Sequence, residues 1–180
     1  EISACLVGSE MCIRDRYKQG LLHDMSKYSP TEFWVGAKYY QGTRSPNNAE
    51  REDIGYSSAW LHHKGRNKHH YEYWIDYSMQ ALPGGMAPVP MPDKYIAEMI
   101  MDRIAASKVY MGGEYTDRSP LDYYYQGTDR APIHPETKAK LLYVLEMLAE
   151  EGEEKTFRFI KEELVQHKRC MDWHQLEKAE

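Results

Sequence analysis

Five of the eight histidines in this 180-residue chain fall between positions 23 and 70, and four of them, His62, His63, His69 and His70, lie within Trp60 to Trp74, WLHHKGRNKHHYEYW. Packing alone explains such a density poorly, because each buried imidazole needs partners for its ring nitrogens and an unpaired polar atom costs free energy. The four rings are therefore either solvated or bound to something. Imidazole ligates zinc, iron and other first-row metals, and carboxylates complete the harder sites. An earlier pair, His23-Asp24, joins both donor types. Adjacent residues on a helix point about 100° apart, so this dyad meets one ion only where several helices join. Cations accompany the cluster: Lys27, Lys64, Arg66, Lys68, Arg103 and Lys108, of which Lys27 and Arg66 are the strongest candidates for phosphate contacts. Asn67 with Tyr71, Tyr73 and Trp74 either lines a nucleobase pocket or belongs to the core.

These residues need a helical scaffold. Leu, Ile, Val and Phe make up only 30 of the 180 residues, a level that would suggest disorder, but 15 Tyr, 10 Met and 4 Trp supply the missing apolar surface. A formal net charge of −5 is too small to hold the chain open. The length suits one domain. Membrane insertion and nucleic-acid binding are not expected, since no apolar run approaches the roughly 20 residues of a spanning helix and no long Lys/Arg block is present. Setting aside Cys5 and Cys12 leaves Cys170 alone, which makes no disulfide framework and points to the cytoplasm.

The opening residues carry no period that continues downstream. Cys5 to Arg16, CLVGSEMCIRDR, resembles the in-frame translation of a transposon-end adapter used in preparing sequencing libraries, so residues 1–16 are set aside as a non-native segment. A single all-α domain is expected over 17–180, with genuine upstream residues missing. Gln19 to Lys27 reads as a helix end, and Ser29-Pro30-Thr31-Glu32 as a capping box in which Glu32 reaches back to the helix start. That helix should stop near Gly42. A loop follows at Thr43 to Asn48, then a helix from Ala49 to His63 that Gly65 breaks. Residues 78–92 hold four Pro and two Gly and read as the longest loop. Pro92-Asp93 opens the best amphipathic helix, with Ile96, Met99, Ile100, Ile104 and Val109 near one face, ending at Gly112-Gly113. Shorter helices are expected from Ser119 to Gly127, from His134-Pro135 to Gly152, and over roughly 154–169.

Leu21 to Lys27, LLHDMSK, is similar to the signature of the HD-domain metal-dependent phosphohydrolase superfamily, an all-helical fold. The resemblance implies that His23 and Asp24 ligate a metal, that Lys27 meets a substrate phosphate, and that His62-His63 corresponds to the double histidine of two-metal members. Asp102, in EMIMDRIAAS, resembles the closing aspartate. The longer pattern, HDMSKYSPTEF, WLHHKGRNKHHYEYW, MPDKYIAEMIMDRIAASKVY and IHPETK, resembles an uncharacterised bacterial and phage family over Tyr17 to about Leu148. No histidine precedes His23, so the superfamily's first ligand is absent from the chain as it stands.

The expectation is a metal-dependent phosphohydrolase for a nucleotide or other phosphate ester. Its metal ligands are drawn from His23, Asp24, His62, His63, His69 and Asp102; Asp24 and Lys27 carry the chemistry, and Lys27, Arg66, Asn67 and Arg103 hold the substrate. The cofactor is a divalent ion: Mn, Fe, Co, Mg or Zn. The competing reading is a metal- or nucleotide-binding protein without turnover. Nucleophile-elbow, dinucleotide and P-loop motifs do not occur.

Overall fold

The computed structural model describes residues 24–42, 44–79, 85–127 and 131–167. The adapter-like segment, His23 and all three cysteines lie outside them, as does most of the expected Gln19 to Lys27 helix end. The described residues form a mainly helical domain with one small hairpin.

After a 3-10 turn at Met25–Tyr28, helix α1 spans Pro30–Tyr39. Ser29 caps α1 by accepting from the Glu32 amide (3.4 Å), and Pro30 occupies the first turn, where its missing N–H costs nothing. The expected return bond from Glu32 is not made, because its carboxylate turns inward to two histidines. The single helix expected from Ala49 to His63 is two: α2 at Pro46–Ile54, starting inside the expected loop, and α3 at Ser58–Lys64. Gly55 separates them at φ 84°, a conformation that an L side chain would oppose. Buried Glu50 then accepts from Ser57 Oγ (2.6 Å), Ser58 Oγ (2.5 Å) and the Ala59 amide (3.4 Å), fixing the start of α3.

A 3-10 turn at Tyr71–Trp74 leads into β1, Ile75–Tyr77, which pairs antiparallel with β2, Met86–Pro88, in the register Ile75 to Pro88, Asp76 to Ala87 and Tyr77 to Met86. The Pro/Gly-rich stretch read as loop therefore contains a strand. Helix α4, Asp93–Met111, has the expected limits and buries Ile96, Met99, Ile100 and Ile104, whereas Val109 is half-buried. Helix α5 is Ser119–Gly127 and α6 is Pro135–Glu151, in which Leu141, Val144, Leu145 and Leu148 form the i, i+3, i+4, i+7 stripe of a core helix. Helix α7, Glu153–Phe159, runs into a π-helical turn at Ile160–Val165, shorter than the helix expected to 169.

The apolar core joins α4, α5, α6 and the π turn, with Tyr71 and Trp74 packed at its edge. Helices α1, α2 and α3 pack on one another, and α1 and α3 on the Met25–Tyr28 turn, as a separate layer. The only buried side chain of α1 is a carboxylate, Glu32. Along the seam between layers, the turn after position 23, the end of α3, the 65–70 loop and the polar edge of α4 converge.

Candidate metal centre

Asp24 sits in this seam in the left-handed conformation (φ 57°, ψ 23°), which short polar residues tolerate better than most, and its side chain is 1% exposed. The following turn returns Lys27 to it as an ion pair through Oδ2. Burial works against the Lys27 charge, but Asp24 and Asp102 outweigh it and hold the ammonium above its usual pKa.

Two imidazoles approach the other oxygen. His63 Nε2 lies 3.2 Å from Asp24 Oδ1, while its Nδ1 is 2.8 Å from Glu32 Oε2. His69 Nε2 lies 3.5 Å from the same Oδ1, and its Nδ1 is 3.3 Å from Glu98 Oε1. Each ring thus has a buried carboxylate behind it. Such a partner assigns the proton to Nδ1 and leaves the Nε2 lone pair facing Asp24, the arrangement by which carboxylates orient metal-binding histidines. His70 joins them, its ring 4.2 Å from that of His69 and 4.8 Å from that of His63. Burial, and then the neighbouring His69, hold His70 well below its ordinary pKa, so its ring is uncharged at neutral pH. One ligand atom each from Asp24, His63, His69 and His70 lies within 4.8 Å of all the others. Tetrahedral ligands with bonds of roughly 2.0–2.2 Å stand about 3.3–3.6 Å apart, so the group has to draw together by about an ångström to close on one ion. Three imidazoles and a carboxylate suit a borderline divalent ion such as Zn, Fe, Co or Mn.

The remaining candidates are distributed around this group. His62, one position before His63 and turned about 100° away, binds Glu32 Oε1 through Nδ1 (2.6 Å), so Glu32 bridges both members of the double histidine. His62 stands outside the four-residue group. Asp102 lines the adjoining cavity with Asp24, Lys27, His63 and His70. Arg103, next along α4, lies among Tyr71, Asp102, Tyr123 and Glu72, with burial lowering its pKa, and is not in the cavity wall. Arg66 is exposed and donates to the His62 carbonyl (3.2 Å). Asn67 donates to Ser26 Oγ (2.8 Å) and the His63 carbonyl (2.9 Å), tying the histidine-rich loop to the turn that carries Asp24. His23 lies outside the described residues.

The sequence reading omitted Glu98 and assigned no chemistry to Glu32. Glu98 had a signal, since it precedes Asp102 by four residues and shares its helix face. Glu32 was masked by a second valid role, the third helical position of a capping box.

The cavity beside the group has a volume of about 680 Å³. Phe33, Ala37 and Tyr40 of α1 and its end, Trp60 of α3, and Val109 and Tyr110 of α4 supply its apolar wall. Trp60 stacks on His63 (5.6 Å, 29°) and meets His70 edge-on (4.7 Å).

The family of unknown function DUF5662 has a model that matches residues 3–147, most of the chain. This chain belongs to that family. The matched span begins before the adapter-like run Cys5 to Arg16, covers all of it, and includes the whole candidate metal group and its cavity. No curated protein and no solved structure matches the chain. Among the described residues, no helix is long and apolar enough to cross a membrane.

Proposed function

We propose that this protein is a metal-dependent phosphohydrolase of the HD type, acting on a nucleotide or another phosphate ester. One observation carries the reading: His63 and His69 each rest a ring nitrogen on a buried carboxylate and turn the other nitrogen to Asp24. Nε2 lone pairs and a carboxylate oxygen repel one another at such distances unless a cation or proton lies among them, and the carboxylates behind the rings assign their protons to the far side. Asp24, His63, His69 and His70 would hold the ion. A divalent ion supplies the electrophile: it polarises a phosphoryl oxygen and lowers the pKa of a water it holds towards neutrality.

The chain's own groups do the rest. Asp24 Oδ1 faces the imidazoles while Oδ2 keeps Lys27 at the cavity wall, where its ammonium can meet a phosphate oxygen. Asp102, in the same wall, is placed to accept a proton inside the cavity. The decisive experiment pairs elemental analysis of protein purified without a His tag with phosphate release from nucleotides in Mn²⁺, Co²⁺ or Fe²⁺. Bound metal and metal-dependent release are expected. A metal-loaded protein that is inactive across nucleoside mono-, di- and triphosphates and cyclic dinucleotides would transfer the site to binding without turnover.

A further inference from the structure

The cavity's charge and wall restrict what can occupy it. Its charged lining comprises three carboxylates, Asp24, Glu32 and Asp102, against two cations, Lys27 and Arg44. Both cations are already engaged: Lys27 with Asp24, and Arg44 with Glu52 through two parallel bonds of 2.7 Å. The lining alone is therefore net negative by one, and a divalent ion makes it net positive by one. A phosphate monoester carries about −1.5 to −2 at neutral pH, which this site can nearly balance. Each further phosphate adds negative charge for which the described wall offers no uncommitted cation.

The outer wall is aromatic. Phe33 and Tyr40 are 52% and 72% exposed, and they stand on the α1 side of the cavity, facing the α4 side that carries Tyr110. Exposed rings in a cavity wall provide flat faces for a planar body. A volume near 680 Å³ lies within the usual range of small-molecule sites.

We propose that the cavity selects a single phosphate group attached to a planar aromatic body, with the phosphate at the Asp24 end and the body against Phe33 and Tyr40. This specificity rests on the hydrolase reading for its reaction, but not for its binding order. The test loads the full chain with Zn²⁺, removes excess metal so that nucleotides bring no ion of their own, and titrates AMP, ATP and glycerol phosphate by calorimetry. AMP should bind roughly tenfold tighter than glycerol phosphate, about the effect of one stacked base, and tighter than ATP, whose further phosphates meet no additional cation in the described wall. Tyr40→Ala and Phe33→Ala should each weaken AMP about tenfold while leaving glycerol phosphate affinity and metal content unchanged. ATP binding as tightly as AMP, or glycerol phosphate matching it, overturns the inference, as does the absence of AMP binding. Phosphate release from ATP with AMP spared also overturns it, yet leaves metal-dependent hydrolysis intact. The expected binding order without phosphate release upholds the inference and removes the hydrolase reading.

Discussion

Glu32 is the residue whose removal best separates an oriented metal centre from an ordinary buried polar cluster. Its two oxygens accept from His62 Nδ1 at 2.6 Å and His63 Nδ1 at 2.8 Å. Glu32→Ala removes both acceptors without lowering helix propensity in α1. His62 is partly exposed and can turn to water, whereas His63 is buried and retains only Ser26 Oγ, at 3.1 Å, as an alternative acceptor. The His63 ring then loses its fixed tautomer and direction, and losing an outer partner of this kind costs about 10–100-fold in metal affinity, roughly 1.4–2.7 kcal/mol. Ser26 places the expectation towards the lower end. Glu32→Gln retains one acceptor, which the buried ring should keep, so its effect should stay below about tenfold. Zn²⁺ affinity would be measured by competition with a chromophoric chelator, with circular dichroism to establish folding and Glu52→Gln as an exposed control. A folded Glu32→Ala protein with affinity within about threefold of the parent would refute the orienting role, as would equal losses in the Gln and Ala variants.

Asp24→Asn keeps a residue type that tolerates φ 57° but removes the shared anionic ligand, so metal content and turnover should both disappear, a larger loss than the roughly 10–100-fold of an outer partner. Lys27→Ala should leave metal content near that of the parent while raising KM for a phosphate ester, because the lysine neutralises Asp24 without donating to the ion; depleted metal by elemental analysis would contradict this. Glu50→Ala leaves the Ser57 and Ser58 hydroxyls and the Ala59 amide without their buried acceptor, and should destabilise the fold by about 1–3 kcal/mol in urea unfolding. Lys140 is buried with Asp93 and Glu136 at 2.7 Å each; burial opposes its charge, but the two carboxylates prevail and raise its pKa. Its contribution is therefore complete below the unfolded lysine value of roughly 10.4 and fades as pH rises through the higher folded value. Lys140→Met should cost about 1.5–3 kcal/mol at pH 7, with the gap to the parent narrowing only in strongly alkaline solution.

The apolar helices were legible because their signals are local and unopposed. Proline and glycine bracket α4 and α6, and both bury residues at helical spacing. The region from Glu32 to His63 was less legible for the same reason that it holds the site. A capping-box glutamate that instead bridges two histidines 30 and 31 residues away has one sequence signature and two outcomes, and only the fold chooses between them. The α2/α3 break fell on a Gly that sequence alone permits inside a helix at a cost of about 1 kcal/mol. Strand β2 was hidden by Pro88 and Pro90, yet Pro88 ends its strand in a two-stranded hairpin, where a proline removes no interior ladder bond. Histidine density pointed to the centre, but the choice of His63 over His62 followed from a rotation of about 100° along a seven-residue helix.

The two layers of the fold are held by different forces, and this bears on how the site works. Ile96, Ile100, Ile104, Leu141, Leu145 and Leu148 are fully buried, and each such side chain contributes about 1.5–3 kcal/mol by leaving water. Around the site the buried polar groups are Asp24, Glu32, Glu50, His63, His69 and Glu98, whose hydrogen bonds, about 1.5–3 kcal/mol each where a charge takes part, are offset by the cost of taking the carboxylates out of water. Geometry is therefore specified strongly in the α1–α3 layer while stability is supplied weakly. An ion that binds the folded arrangement at 100 times its Kd adds about 2.7 kcal/mol, comparable to one or two of those hydrogen bonds but without their offsetting cost. Metal should accordingly protect the amides of α1 and α3 from hydrogen exchange far more than those of α4 or α6, because the ion substitutes for an apolar interior in the one layer built without it.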